Sequence, residues 1–296
     1  MPEARALILA NRRARKGKQS LGAAIDRLHH AGIGTITVPQ DPSTSSANVI
    51  HAHADRIDFV VLAGGDGTLN HAASALHETG LPFGVLPMGT ANDFARTIGI
   101  PRDLTRAAEI IIDGHQRPVD LGEVNGHFFF NVASIGFSAT LARGLTAEAK
   151  KRWGTLGYAL AALNLLRQSR PFTVEIDHDG AVETVRTVQV AVGNGRFYGG
   201  GMAVEKTAAP DDGRLDVYSL EIDHWWELIA LAPWLRRGTQ NRWRKVRAFS
   251  ATNLVIRTKR PHDINADGEI VGQTPATFHI KIKAVKVFAP RLVRPG

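Results

Sequence analysis

The hydrophobic pattern changes period once along the chain, and that change limits the fold most. Up to about residue 125, short apolar runs at 5–10, 34–38, 57–63 and 83–87 alternate with helical-period stretches at 20–30, 46–54, 68–78, 91–98 and 104–113. Strand–helix alternation of this kind builds a parallel sheet with helices on both faces. After His127 the runs at 174–177, 183–193, 215–220, 251–258 and 277–288 are β-branched and bounded by Gly, Pro and Asp. That is the pattern of antiparallel strands. Helical patches at 141–168 and 224–237 interrupt them, and Pro233 is expected to break or end the second. The expected fold class is α/β: a Rossmann-like parallel-sheet domain at 1–126, then a β-rich domain at 127–286.

Parallel sheets bind ligands at the carboxyl ends of their strands. The run at 57–63 ends in Gly64-Gly65-Asp66-Gly67-Thr68-Leu69-Asn70, where a helix is expected to begin. Glycines at such a junction let the backbone turn tightly and let a phosphate approach free N–H groups. A carboxylate among them would repel that phosphate. A bridging Mg²⁺, hydrogen bonds from Asp66 to loop amides, or a positive partner would each resolve the conflict. On its own, Gly-Asp-Gly is also an ordinary turn. A second strand–turn–helix junction, Gly89-Thr90-Ala91-Asn92-Asp93, follows the run at 83–87, with Thr90 or Asn92 as helix cap. Two such junctions on one sheet edge suit a polyphosphate.

Other nucleotide signatures are missing from the 296 residues. There is no G-x-x-x-x-G-K-[ST] and no G-x-G-x-x-G, and Asp93-Phe94-Ala95 is not the protein-kinase metal triplet. No His-Glu-x-x-His occurs, and with no cysteine there is neither a disulfide framework nor a thiolate metal site. The cysteine usage suits a reducing cytoplasm. The apolar stretch near the N-terminus is too short for a signal-peptide core, and no run is long enough to span a bilayer. A net charge of +8 and 44% hydrophobic residues describe a globular chain drawn to something anionic.

GGDGTLN at 64–70 with GTANDFAR at 89–96 resembles the diacylglycerol-kinase catalytic family, in particular its soluble bacterial lipid kinases. NVASIGFS at 131–138, GNGRFYGGGM at 193–202, PDDGRLDV at 210–217 and ADGE at 266–269 continue the resemblance in order. Six ordered blocks are more specific than GGDGT, which NAD kinases and phosphofructokinases share. The resemblance implies ATP- and Mg²⁺-dependent phosphorylation of a lipid hydroxyl. It implies a nucleotide-binding α/β domain and a β-sandwich-like lipid-binding domain, with a last strand near 287–296 returning to the first. ATP contacts are implied at Asn11, Thr37, Gly64, Gly65, Asp66, Gly67, Thr68, Leu69, Asn70, Gly89, Thr90 and Asn92. Thr37 takes the place of a nucleotide-contacting Thr after strand two. The family's Asn-Pro-x-Ser-Gly loop is replaced by Asn11 followed by a cation-rich turn at 12–18.

Oxygen-rich turns suit hard cations. By resemblance, Asp212 with the carbonyls of Ala209 and Arg214 holds a structural Mg²⁺, which Asp216 links to the active site. This ion is distinct from the one carried with ATP. Transfer to an alcohol needs a proton acceptor within hydrogen-bond reach. The family's D-G-E supplies it, here as Asp267 or Glu269, with Asp66 organising the phosphate loop. The expected acceptor is a lipid at an anionic membrane surface: diacylglycerol-like, phosphatidylglycerol, or a sphingoid or ceramide lipid. Trp and Arg/Lys crowd 224–247, as at membrane interfaces, and a second amphipathic candidate lies at 150–167. The expected location is cytoplasmic with peripheral membrane association. Nucleic acid is not an expected partner, and a homodimer is compatible with the sequence. The competing readings are a kinase of a soluble acceptor such as NAD, and a decayed basic module that binds phosphate or nucleic acid.

Overall fold

The computed structural model describes residues 4–11, 18–40, 45–144, 167, 170–195, 197–198, 202–203, 209–237, 239 and 243–291. The cationic turn at 12–17 and the amphipathic candidate at 150–166 lie outside them. The chain divides into one unit of Met1–Leu121 with Lys281–Gly296 and a second of Gly122–Ile280.

In the first unit the elements run β1 (Arg5–Asn11), α1 (Lys18–His30), β2 (Gly34–Gln40), α2 (Ser46–His53), β3 (Phe59–Gly64), α3 (Asp66–Asn70), α4 (Ala73–Thr79), β4 (Phe83–Pro87), α5 (Asp93–Ile98), α6 (Leu104–Asp113) and β5 (Gln116–Val124). Strands pair in parallel in the order β2-β1-β3-β4. β3 and β4 are buried along their whole length, as central strands of a doubly covered sheet must be. Ala10 lies opposite Ala63, and Ala63 opposite Leu86, so the strands end along one edge. The expected single helix at 68–78 is two. His71 and Ala72 form a tight turn closed by Ala72 N–H to Leu69 C=O at 3.0 Å, which lets Leu69, Ala72, Ala73 and Leu76 all reach the core.

In the second unit follow β6 (His127–Phe129), β7 (Val132–Gly136), α7 (Phe137–Gly144), β8 (Phe172–His178), β9 (Ala181–Thr187), β10 (Gln189–Gly193), β11 (Phe197–Tyr198), β12 (Met202–Ala203), β13 (Leu215–Leu220), α8 (Trp225–Arg237), β14 (Val246–Ala251), β15 (Asn253–Thr258), β16 (Asp263–Ala266), β17 (Glu269–Gln273) and β18 (Ala276–Phe288). One antiparallel sheet is ordered β14-β13-β10-β7-β16-β17. A second pairs β9, β8, β15 and the first half of β18. Their inner faces share one core: Ala133, Ile135, Val190, Val192, Val217 and Ile264 meet Val174, Ile176, Leu254, Ile256 and Phe278. The second half of β18 belongs to the first unit, where Val287 pairs in parallel with Phe83 of β4.

The outer face of the six-stranded sheet packs Tyr218, Leu220 and Val246 against Leu231 and Leu228 of α8. Pro233 lies inside this helix and does not end it. Its ring is exposed, and Leu231, two residues earlier, is pinned to the sheet, so packing outweighs the lost backbone bond. The expected strand at 183–193 is split into β9 and β10. The buried Thr187 hydroxyl accepts the Gln189 N–H at 3.1 Å and holds the corner. The run at 251–258 likewise spans the end of β14 and all of β15, with Thr252 as the corner.

Candidate active site

The two glycine junctions of the first unit touch backbone to backbone. A Cβ on Gly65 would lie 2.9 Å from the Gly89 Cα, and one on Gly89 would lie 2.6 Å from the Gly65 Cα. A Cβ on Gly64 would collide with Thr68 Oγ1 at 2.1 Å, so the buried Thr68 side chain folds over that glycine. Gly67 is the opposite case, with open space where its Cβ would stand. The Met88 N–H donates to the Gly64 carbonyl at 2.8 Å, which ties β4 to the start of the first loop.

Asp66 turns its carboxylate to the second loop: Oδ1 accepts the Phe94 N–H at 3.1 Å, at the start of α5. One of the three expected ways to compensate Asp66, a hydrogen bond from a loop amide, is thus present. The charge meets a helix N-terminus, where it is stabilised. Asn92 precedes α5 but does not cap it. It adopts the left-handed conformation (φ 53°), and its amide closes a ring on Gly89, accepting that residue's N–H at 2.9 Å and donating to its carbonyl at 2.8 Å. α5 starts at Asp93 rather than at Ala91. Thr90 is exposed, and the Arg102 guanidinium donates to its carbonyl at 3.1 Å. Nothing local marks Arg102 as a brace, because its partner is 12 residues away.

Leu69 is buried and Asn70 half-buried on α3. Asn11 ends β1 on the same sheet edge as the glycine loops. Thr37 does not follow strand two. It lies within β2, exposed and paired with Ile8, because the strand runs on to Gln40.

In the second unit, Asp267 and Gly268 form the two-residue turn between β16 and β17, both at positive φ (47° and 96°). Asp-Gly is the favoured pair for that hairpin. The Asp267 carboxylate gathers a row of amides: Oδ2 accepts the Phe130 N–H at 2.7 Å, and Oδ1 accepts those of Asn131 at 3.1 Å and Val132 at 3.0 Å. Its own N–H donates to the Val132 carbonyl at 3.0 Å. The Asn131 carbonyl accepts the N–H groups of Asn194 and Gly195 at 2.9 and 3.2 Å. Three of the sequence blocks, at 131, 194 and 267, thus form one hydrogen-bonded cluster. Glu269 follows as the first residue of β17, half-buried.

The turn at 210–214 is built by Asp212, whose Oδ1 accepts the Arg214 N–H at 3.0 Å, with Gly213 at φ 73°. The Arg214 side chain reaches the Ser250 carbonyl at 2.7 Å, and Asp216 on β13 accepts the Ser250 hydroxyl at 2.7 Å. Ala209 is half-buried. The donors along this turn are all oxygens, which fits a hard cation such as Mg²⁺. Among the described residues no three His, Asp or Glu side chains converge on a metal position.

Two family models match the chain: the diacylglycerol kinase catalytic domain over residues 5–124, and the YegS C-terminal NAD kinase beta sandwich-like domain over residues 131–289. The diacylglycerol kinase of Bacillus subtilis (strain 168) is 30% identical over 281 residues, 93% of this chain and 92% of that protein. The chain belongs to the diacylglycerol kinase catalytic family. A diacylglycerol kinase of Staphylococcus aureus (strain bovine RF122 / ET3-1) is 29% identical, covering 92% of this chain and 88% of its own. A crystal structure of a putative diacylglycerol kinase from Bacillus anthracis str. Sterne superposes with a TM-score of 0.83 at 26% identity, over 98% of this chain and 96% of the other. The family is one of lipid kinases, and both the α/β sheet and the antiparallel β domain of this member follow its fold. Among the described residues, no helix of this family member is long and apolar enough to cross a membrane.

Proposed function

We propose that this kinase transfers the γ-phosphoryl group of ATP to the hydroxyl of a membrane lipid of the diacylglycerol class, with Mg²⁺. The first unit serves as the nucleotide domain and the second as the lipid domain. The observation that carries the proposal is the lock between the two glycine loops, with Asp66 turned onto the Phe94 amide. It leaves a glycine-rich surface at the strand ends where the Asp66 carboxylate is already engaged. Gly67 leaves open space for a phosphate, Gly64, Gly65 and Gly89 let the two loops pack closely beside it, and Thr68, Leu69, Asn70, Thr90 and Asn92 shape the surroundings. Asn11 stands at the edge of this surface, whereas Thr37 lies three residues before the end of β2.

Mg²⁺ carried with the nucleotide would neutralise charge on the transferring phosphoryl group. Ala209, Asp212, Arg214 and Asp216 are the residues that would hold a second, structural Mg²⁺. Glu269 is the proposed proton acceptor for the lipid hydroxyl. Asp267 is a positioning residue, since its oxygens are engaged by the amides of 130–132. The protein would act at the membrane as a peripheral enzyme.

The test is transfer of labelled γ-phosphate from ATP to diacylglycerol in mixed micelles, with NAD in a parallel tube. Label should enter the organic phase, require Mg²⁺ and disappear in Glu269→Gln. Label in NAD alone would move the protein to soluble acceptors, and no label in either would refute the kinase assignment.

A further inference from the structure

The second unit carries an apolar helix face that its core does not use. α8 turns Leu228 and Leu231 to the six-stranded sheet. Along its opposite side, Trp226, Ala230, Pro233, Trp234 and Arg237 are all exposed. Their spacing of 4, 3, 1 and 3 residues keeps them on one stripe of a helix. Trp226 is 54% exposed and Trp234 37%, among the few large apolar side chains that the described residues leave in solvent. A water-facing stripe ordinarily carries charge of both signs, and this one has two indoles and no carboxylate.

The nearby acids are already taken up. Lys245 binds both Asp223 and Glu227 at 2.8 Å, and Glu227 also accepts the His224 N–H at 3.0 Å, closing the helix start. Among the described residues, what remains at the surface beside α8 is positive. Arg237 and Arg244 are exposed and form no ion pair among the described residues. Trp243 meets Trp234 edge to face at 5.1 Å, which brings position 244 beside the stripe.

We propose that this α8 face is the docking surface for an anionic lipid bilayer, resting on the lipid-acceptor reading above. Indoles lie well at the headgroup boundary, and exposed guanidinium groups are drawn to anionic headgroups. A symmetric contact with a second copy would set these cations close to their own images, with the described acids nearby, Asp223 and Glu227, already bound to Lys245. Ala230 and Pro233 offer neither stacking nor a phosphate contact to a nucleic acid, whereas acyl chains accept them.

The experiment is co-sedimentation with vesicles of phosphatidylcholine, alone and mixed with phosphatidylglycerol. It uses the full chain and the variants Trp226→Ala, Trp226→Ala/Trp234→Ala and Arg237→Ala/Arg244→Ala. Each cation near an anionic surface contributes about fivefold in binding, so the Arg pair should weaken binding to the mixed vesicles roughly 25-fold. The Trp variants should weaken binding to both kinds. Phosphorylation of a short-chain diacylglycerol dissolved as monomer should be retained in every variant, which also shows that they fold. Wild-type affinity in the Arg pair and in Trp226→Ala would overturn the proposal while leaving the kinase assignment intact. Vesicle binding that depends on these residues, without phosphorylation of any lipid, would keep the surface and sink the lipid acceptor. Loss of a dimer, or of oligonucleotide binding, with vesicle binding unchanged would reassign the face.

Discussion

Asp267→Ala should destabilise the second unit before it says anything about proton transfer. The carboxylate accepts N–H groups from Phe130, Asn131 and Val132, which are 0%, 4% and 8% exposed. Each buried donor left without an acceptor costs about 1–3 kcal/mol, and bonds to a charged acceptor lie at the upper end. Asp267 itself is half-buried, so water can replace part of the loss. A net cost of about 3–5 kcal/mol is a large share of the roughly 5–15 kcal/mol that holds a domain together. For a unit of this size it lowers the melting temperature by about 10 °C. Asp267→Asn keeps one acceptor oxygen but sets an NH₂ against donors, and should cost about half as much.

The assay pairs thermal melts with the pH dependence of lipid phosphorylation. Glu269→Gln should melt within about 2 °C of wild type yet lose roughly 10²–10⁴ in kcat, the usual contribution of a general base. Asp267→Asn should melt lower, and its residual activity should keep the wild-type pH profile, since the proton acceptor is still present. If Asp267→Asn melts like wild type and abolishes turnover as fully as Glu269→Gln, the division of roles is wrong and Asp267 is the base.

Gly89→Ala should fold poorly, because its Cβ would stand 2.6 Å from the Gly65 Cα and 2.7 Å from Asn92 Oδ1, a side-chain atom held by its own bonds to Gly89. A cost of about 1–3 kcal/mol should appear in the melt. Gly67→Ala meets nothing within 4 Å, so it should melt normally and raise the KM for ATP if the nucleotide lies there. Acid should loosen α8. Hydrogen bonding and charge from Lys245 hold Asp223 below its ordinary 3.8. Burial would raise Glu227, but bonds from Lys245, His224 and Asp223 outweigh it and hold Glu227 below its ordinary 4.5. Their stabilisation is therefore present above those ordinary values and lost as pH falls through the depressed ones. Lys245 is raised above its ordinary 10.5 by the same partners, so its share persists up to that pH and is lost above it. Tryptophan fluorescence should hold steady from about pH 5 to about pH 10 and change below about pH 4. Lys245→Met should shrink that acid step, and an unchanged step would refute the clamp.

What the sequence disclosed depends on whether the deciding contact is local. The bounds of β4, α6 and β13 coincide with those expected, because each ends on its own signal. Asp103, for instance, caps α6 by accepting the Arg106 N–H at 2.9 Å, and Gly114 ends it at φ 69°. The glycine loops were legible for the same reason. β5 was not, since Pro118 and Gly122 break its pattern, and Gly122 is explained only by the Phe129 ring lying where its Cβ would stand. Pro233 misled because a local rule met a tertiary override at Leu231. The D-G-E motif shows the limit most sharply. Sequence alone left Asp267 and Glu269 equivalent as bases, because both are carboxylates in one turn. Their difference comes from amides 135 to 137 residues away, which engage Asp267. A motif can thus suggest a chemistry, while what tells its two carboxylates apart, here the amides bound to Asp267, is visible only in the fold.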